Sequence, residues 1–179
     1  MMTIDEILNE VQIQNLDHVV LTGGEPMLFD PIIELTTRLK HLGKTVTIET
    51  AGTIFRDLEC DLMSISPKLG HSTPVGDPQW EERHEELRLQ PGVLRQLIES
   101  YPYQLKFVVT GDPAEIIEID SLLAQIGPVP PDHILLMPEG RDQASLWATA
   151  KKLVPTALER NWRLAPRLQI DLFGDNRGT

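Results

Sequence analysis

Apolar and polar positions along this chain keep switching between a spacing of 3.6 residues and a spacing of two, which sets helices beside strands from the start. Ile4, Ile7, Leu8 and Val11 share one helical face behind the capping box formed by Thr3 and Glu6. Residues 18–22 read as a short buried strand. Asp30 as N-cap and Pro31 at the first helical position open a second helix, with Ile32, Leu35, Leu39 and Leu42 as its core stripe and Gly43 as its stop. Residues 45–49 and 61–66 are the next two strands. Residues 70–88 carry the run Glu81-Glu82-Arg83-His84-Glu85-Glu86 and read as a solvated loop with room for a short exposed helix. A helix over 92–101 and a strand over 105–110 follow. Asp112-Pro113-Ala114-Glu115 repeats the helix-start grammar, with Ile116, Ile119, Leu123 and Ile126 inward and Gly127 as the end. Residues 133–137 form a strand, 142–153 a helix, 168–172 a final strand, and 174–179 a tail rich in turn residues.

Six strands separated by helices imply a mainly parallel α/β sheet, either open or curled into a partial barrel. The 179 residues suffice for one domain with a sizeable core, so residues 1–179 are taken as a single domain. The formal net charge of -11 disfavours nucleic acid and anionic membrane surfaces as partners, but not a small anion held by a few local basic residues. No apolar run reaches the length of a membrane span and no secretory pattern opens the chain, so the cytoplasm is expected. Cys60 is the only cysteine, which excludes an internal disulfide and any cluster held by three or four cysteines of this chain. It reads as a small buried hydrophobe. His18, His41, His71, His84 and His133 are scattered without a Ser or Cys partner or the spacing of a zinc site, and His18 and His133 start strands.

Chemistry gathers at the strand ends. The first strand stops in Thr22-Gly23-Gly24-Glu25-Pro26, where two glycines bare the backbone and proline denies the ladder an N–H. The second ends in Glu49-Thr50-Ala51-Gly52-Thr53, the third in Ser66-Pro67-Lys68 and the fifth in Met137-Pro138-Glu139-Gly140. In a parallel sheet these ends share one edge, where ligands bind. Each piece has an ordinary alternative: Glu49 as a strand cap, Lys68 as a snorkelling surface lysine, Pro138-Glu139-Gly140 as a turn. Their recurrence at successive strand ends favours a site.

With these motifs in this order the chain resembles radical S-adenosylmethionine enzymes and, more narrowly, the 7-carboxy-7-deazaguanine synthase family of the queuosine pathway, which serves tRNA modification. The ending Pro166-Arg167-Leu168-Gln169-Ile170-Asp171-Leu172-Phe173-Gly174-Asp175-Asn176-Arg177-Gly178 carries the same resemblance, which covers nearly the whole chain. It implies a partial (β/α) barrel of the radical type lacking its first strand. It implies a carbon–nitrogen lyase that converts 6-carboxy-5,6,7,8-tetrahydropterin to 7-carboxy-7-deazaguanine and releases ammonia, using S-adenosylmethionine, a [4Fe-4S] cluster and Mg²⁺. By the same resemblance Gly23, Gly24 and Glu25 meet the methionine ammonium, and Ser66, Pro67, Lys68, Met137, Pro138, Glu139 and Gly140 hold the rest of that cofactor. Thr22 and the terminal Thr179 then face the pterin substrate, and a homodimer is expected.

One departure is large. The family's cysteine-rich loop and the hydroxyl residue that helps bind Mg²⁺ belong before the Gly23-Gly24 strand and have no counterpart here. No catalytic residue and no metal ligand is therefore assigned to this chain, which is expected to be an N-terminally truncated piece, inactive alone. The alternatives are a cluster-less S-adenosylmethionine-binding protein and another radical enzyme of the superfamily, such as an activase.

Overall fold

The first helix forms where its cap predicts it. The Glu6 carboxylate takes the Thr3 N–H at 2.7 Å and Thr3 Oγ1 takes the Glu6 N–H at 3.3 Å. Helix α1 then runs Ile4–Gln14 until Asn15 turns left-handed at a φ of 50°. In the computed structural model, which describes residues 2–74, 76 and 78–175, six strands follow: β1 His18–Leu21, β2 Thr45–Thr50, β3 Leu62–Ile65, β4 Tyr103–Val109, β5 Ile134–Pro138 and β6 Arg163–Leu164. The helices between them are α2 Pro31–His41, α3 Pro78–Arg88, α4 Pro91–Ser100, α5 Pro113–Ile126, α6 Gln143–Arg160 and, after β6, α7 Leu168–Phe173.

Every strand pairs in parallel with its sequence neighbour, in the order β1-β2-β3-β4-β5-β6. That order is the wall of a (β/α) barrel, unclosed among the described residues. Paired residues of parallel strands point to the same side. Val19–Val46, Ile48–Met63, Ile65–Leu105 and Phe107–Leu136 thus make one continuous apolar face. Leu8 of α1, Ile32, Leu35 and Leu39 of α2, Leu94 and Leu97 of α4, Ile119 and Leu122 of α5, and Leu153 of α6 join those strands in one core. The opposite face carries Thr47, Glu49, Ser64, Gln104 and Lys106, of which Thr47 and Ser64 are buried.

Several expectations change in three dimensions. Residues 168–172 form α7 rather than the last strand, although Leu168, Ile170 and Leu172 alternate. The place beside β5 belongs to Arg163–Leu164, Pro166 supplies no N–H to a ladder, and only Ile170 of the three is buried. Helix α6 continues seven residues past the predicted end at 153 and runs through Pro155. Buried Ala150, Leu153 and Ala157 anchor the face that offsets the lost hydrogen bond. Asp30 precedes α2 but makes no capping bond, because its carboxylate pairs with Arg56 Nη2 at 2.8 Å. Leu42 leaves the core stripe of α2, and Thr36 is buried there instead. Residues 70–88 hold an eleven-residue helix, α3, whose Arg88 reaches Glu85 and Glu118.

The link from β2 to β3 has no helix. Tyr101 braces it, its hydroxyl donating to Arg56 O at 2.7 Å and accepting the Leu58 N–H at 3.0 Å. Gly52 opens this link at a φ of +77°, and a Cβ there would lie 2.4 Å from Leu94 Cδ2 and 2.7 Å from Ile65 Cγ2. Gly52→Ala is expected to destabilise the fold by about 1–3 kcal/mol through overpacking at a left-handed position. The check is urea unfolding, where the midpoint should fall with the slope unchanged.

Candidate functional site

Parallel pairing brings the carboxyl ends of β1 to β5 to one edge, and a hollow of about 380 Å³ opens there. Thr22, Gly23 and Gly24 wall it from β1, Glu49, Thr50 and Ala51 from β2, Ser66 and Lys68 from β3, and Met137 from β5. Lys106 and Val108 of β4 form its floor, and Arg167 and Gln169 close it from the start of α7.

The glycines are open to this space. Gly23 has a φ of +149°, and neither it nor Gly24 would bring a Cβ within 4 Å of another atom. Bare backbone therefore faces the hollow, and any larger residue at Gly24 would project into solvent or ligand rather than into the core.

Glu25 does something different from its neighbours. Its carboxylate accepts from Met27 N at 3.1 Å, from Thr50 Oγ1 at 2.9 and 2.8 Å, and from Ala51 N at 2.9 Å. The Thr50 hydroxyl in turn accepts from Gly52 N at 3.0 Å. Glu25 thus clasps the turn after β1 to the end of β2 and fixes the spacing of two walls of the hollow.

Along the floor, Thr22 Oγ1 donates to Glu49 Oε2 at 3.2 Å and Lys106 Nζ donates to Glu49 Oε1 at 3.3 Å. Gln104 Nε2 donates to Ser64 Oγ at 3.0 Å deeper on the same face. Lys68 is exposed as a residue, yet partial desolvation and the nearby charge of Lys106 lower its pKa below the usual lysine value, with Glu25 and Glu49 pulling the other way. Lysines drawn together around a single lining carboxylate mark a place that favours an anion.

The remaining predicted residues lie nearby in other roles. Pro67 is buried beneath its loop. Pro138 lines a neighbouring notch of about 120 Å³ with Leu146, Trp147 and Asp171. Glu139 lies 3.6 Å from His71 Nε2, whose Nδ1 is 2.9 Å from the buried Glu115. Gly140 has its carbonyl held by Arg167 Nη1 at 3.1 Å, and a Cβ there would lie 2.8 Å from Ser145 Oγ. Thr179 lies outside the described residues. The residues that sequence reading missed are Lys106, Val108, Arg167 and Gln169. Lys106 had a signal, since it alternates with Leu105 and Phe107 on a strand whose other face is core. Arg167 and Gln169 had only their place in the ending that carries the family resemblance, with no role attached to either.

Comparison with known proteins bears on the same edge. The chain matches no protein-family model. It is 44% identical to the 7-carboxy-7-deazaguanine synthase of Halobacterium salinarum, over 97% of the chain and 72% of that relative. It is 41% identical to the one from Rhodopirellula baltica, over 99% of the chain and 69% of that protein. The chain belongs to the 7-carboxy-7-deazaguanine synthase family. The crystal structure of QueE from Escherichia coli superposes with a TM-score of 0.64 at 26% identity, covering 93% of this chain and 64% of that one. The chain therefore spans about seven-tenths of the two relatives and somewhat less than two thirds of the solved structure.

S-Adenosylmethionine, the family's cofactor, presents an ammonium, a carboxylate, a sulfonium and an adenosine. Bared glycine backbone, a serine hydroxyl, cationic side chains and the apolar Met137 and Val108 suit those groups. An iron–sulfur cluster does not fit the residues at hand. Among the described residues no three His, Cys, Asp or Glu side chains are grouped to hold a metal ion, and Cys60 stands before β3, at the opposite end from the hollow. No step is derived through such a cluster or through Mg²⁺.

Two expectations follow. Glu25→Ala should strand the buried Thr50 hydroxyl and the Ala51 N–H at a cost of about 1–3 kcal/mol, seen as a lower unfolding midpoint and faster hydrogen exchange at Ala51. Burial, with Asp61 beside it, pushes the Cys60 thiol up to about 11, so it stays protonated at pH 8. Iodoacetamide should label native Cys60 slowly there, faster as the pH nears 11, and at the rate of an ordinary thiol once the chain unfolds.

Proposed function

We propose that the hollow binds S-adenosylmethionine and that the chain takes part in the family's reaction, the conversion of 6-carboxy-5,6,7,8-tetrahydropterin to 7-carboxy-7-deazaguanine with loss of ammonia. The observation that carries this reading is the meeting of three separately predicted strand ends, at Gly24, Lys68 and Met137, on one hollow. Membership of the family supports the choice of ligand.

In this reading Gly23 and Gly24 accept the methionine ammonium through their backbone, and Glu25 acts one step back by holding the turn. Ser66 and Lys68 take polar parts of the cofactor, and Met137 and Val108 lie against its apolar atoms. Pro138, Glu139 and Gly140 shape the turn that carries Met137. Thr22, bonded to Glu49 and so to Lys106, faces the pterin. Given an outside one-electron donor the bound cofactor would be the source of a radical, and the chain's own residues bind it, orient it and exclude water. The family's iron–sulfur cluster and Mg²⁺ find no holding residues among those described, and a homodimer and a cytoplasmic setting complete the proposal. Among the described residues no helix is long and apolar enough to cross a membrane.

The test is titration calorimetry of the 179-residue chain with S-adenosylmethionine. Binding is expected, and Gly24→Val should weaken it at least tenfold while leaving the thermal midpoint within about 2 °C, because a side chain there meets open space. Failure of the wild-type chain to bind, or equal binding by both proteins, would refute the reading.

A further inference from the structure

Arg167 is the most unusual side chain of the hollow. It stands just before α7 and lines both the hollow and the adjoining notch. Its Nη1 donates to Gly140 O at 3.1 Å, which ties α7 to the turn after β5. Its Nε is buried and has no hydrogen-bond partner among the described residues, and Asp171 Oδ1, which lines the same notch, is likewise buried and unpartnered. A buried guanidinium N–H left unpaired is costly, and such groups in folded proteins are normally met by protein, water or ligand.

The surroundings indicate what would meet it. The hollow is lined by Lys68, Lys106 and Arg167 against the carboxylate of Glu49, with Asp171 in the adjoining notch, in a chain whose net charge is -11. Glu49 is already engaged by Thr22 and Lys106. Cation excess in a concave site of an acidic protein draws a small anion, and a planar guanidinium matches a carboxylate better than an ammonium does.

We propose that Arg167 recognises a carboxylate of the molecule bound in the hollow, and so sets ligand specificity as well as bracing the Gly140 turn. This rests on the function proposed above, and it assigns to that site a recognition residue on α7. Two ligands could bring the carboxylate: S-adenosylmethionine through its methionyl end, or the pterin through its 6-carboxylate.

Calorimetry on the full chain separates the sources with two pairs of probes. One pair is S-adenosylmethionine and decarboxylated S-adenosylmethionine; the other is 6-carboxypterin and unsubstituted pterin. Arg167→Gln should weaken the carboxylate-bearing member of one pair about 10- to 100-fold and shift its counterpart less than twofold. Arg167→Lys should fall between wild type and Arg167→Gln, since it keeps the charge and loses the fork. The pair that responds names the source. Equal losses for both members of each pair would reduce Arg167 to a strut for Gly140 and overturn the inference, as would no loss in any. A wild-type chain that binds none of the four probes would remove the inference and the proposed function together, whereas binding that ignores Arg167 would remove only the inference.

Discussion

Six parallel strands in sequential order leave the chain little choice about where its chemistry goes. Side chains alternate across each strand, and parallel register keeps equivalent positions in line from β1 to β5. Once Val46, Ile48, Met63, Ile65, Leu105 and Phe107 are committed to the helices, the residues between them must face the other way. Thr47, Glu49, Ser64, Gln104 and Lys106 are therefore on the polar face by parity, and every strand delivers its terminal loop to the same edge.

That edge is held open by polar contacts rather than by packing. Glu25 spends its carboxylate on Met27, Thr50 and Ala51, and Glu115 spends its own on the backbone of Thr110, Gly111 and Asp112. Both are carboxylates satisfied by N–H and hydroxyl donors, the condition under which such a group is tolerated out of water. The loops are thereby fixed while their glycine backbone and cationic side chains stay available. In a chain of net charge -11, the cluster of Lys68, Lys106 and Arg167 is a local reversal of the molecule's field.

Much of this was legible in the letters. The capping box at Thr3, the start of α5, the first five strands and the meeting of the Gly24 and Lys68 bends followed from spacing and strand-end composition, whereas of the third bend Met137 lines the hollow and Glu139 does not. The misreadings came from places where local pattern and global packing disagree. Leu168, Ile170 and Leu172 carry a strand rhythm, but the sheet position they would fill is occupied and Pro166 precedes them. Pro155 suggests an end to α6, yet burial of the helix face on either side carries it onward. Glu25 and Glu139 look alike as strand-end carboxylates; one becomes an internal clasp and the other lies beside His71.

The sequence by itself determined, apart from α3, which segments are helix and strand up to β5, that they alternate into a parallel sheet, and which strand-end motifs tie the chain to its family. Those are properties of neighbours along the chain, set by periodicity, caps and turn residues. Tertiary structure alone decided that Lys106 and Arg167 enter the hollow, that Glu25 turns inward, and that Arg167 reaches Gly140 across 27 positions. Side-chain direction at such points depends on which distant backbone offers a donor or acceptor, and no local pattern encodes that.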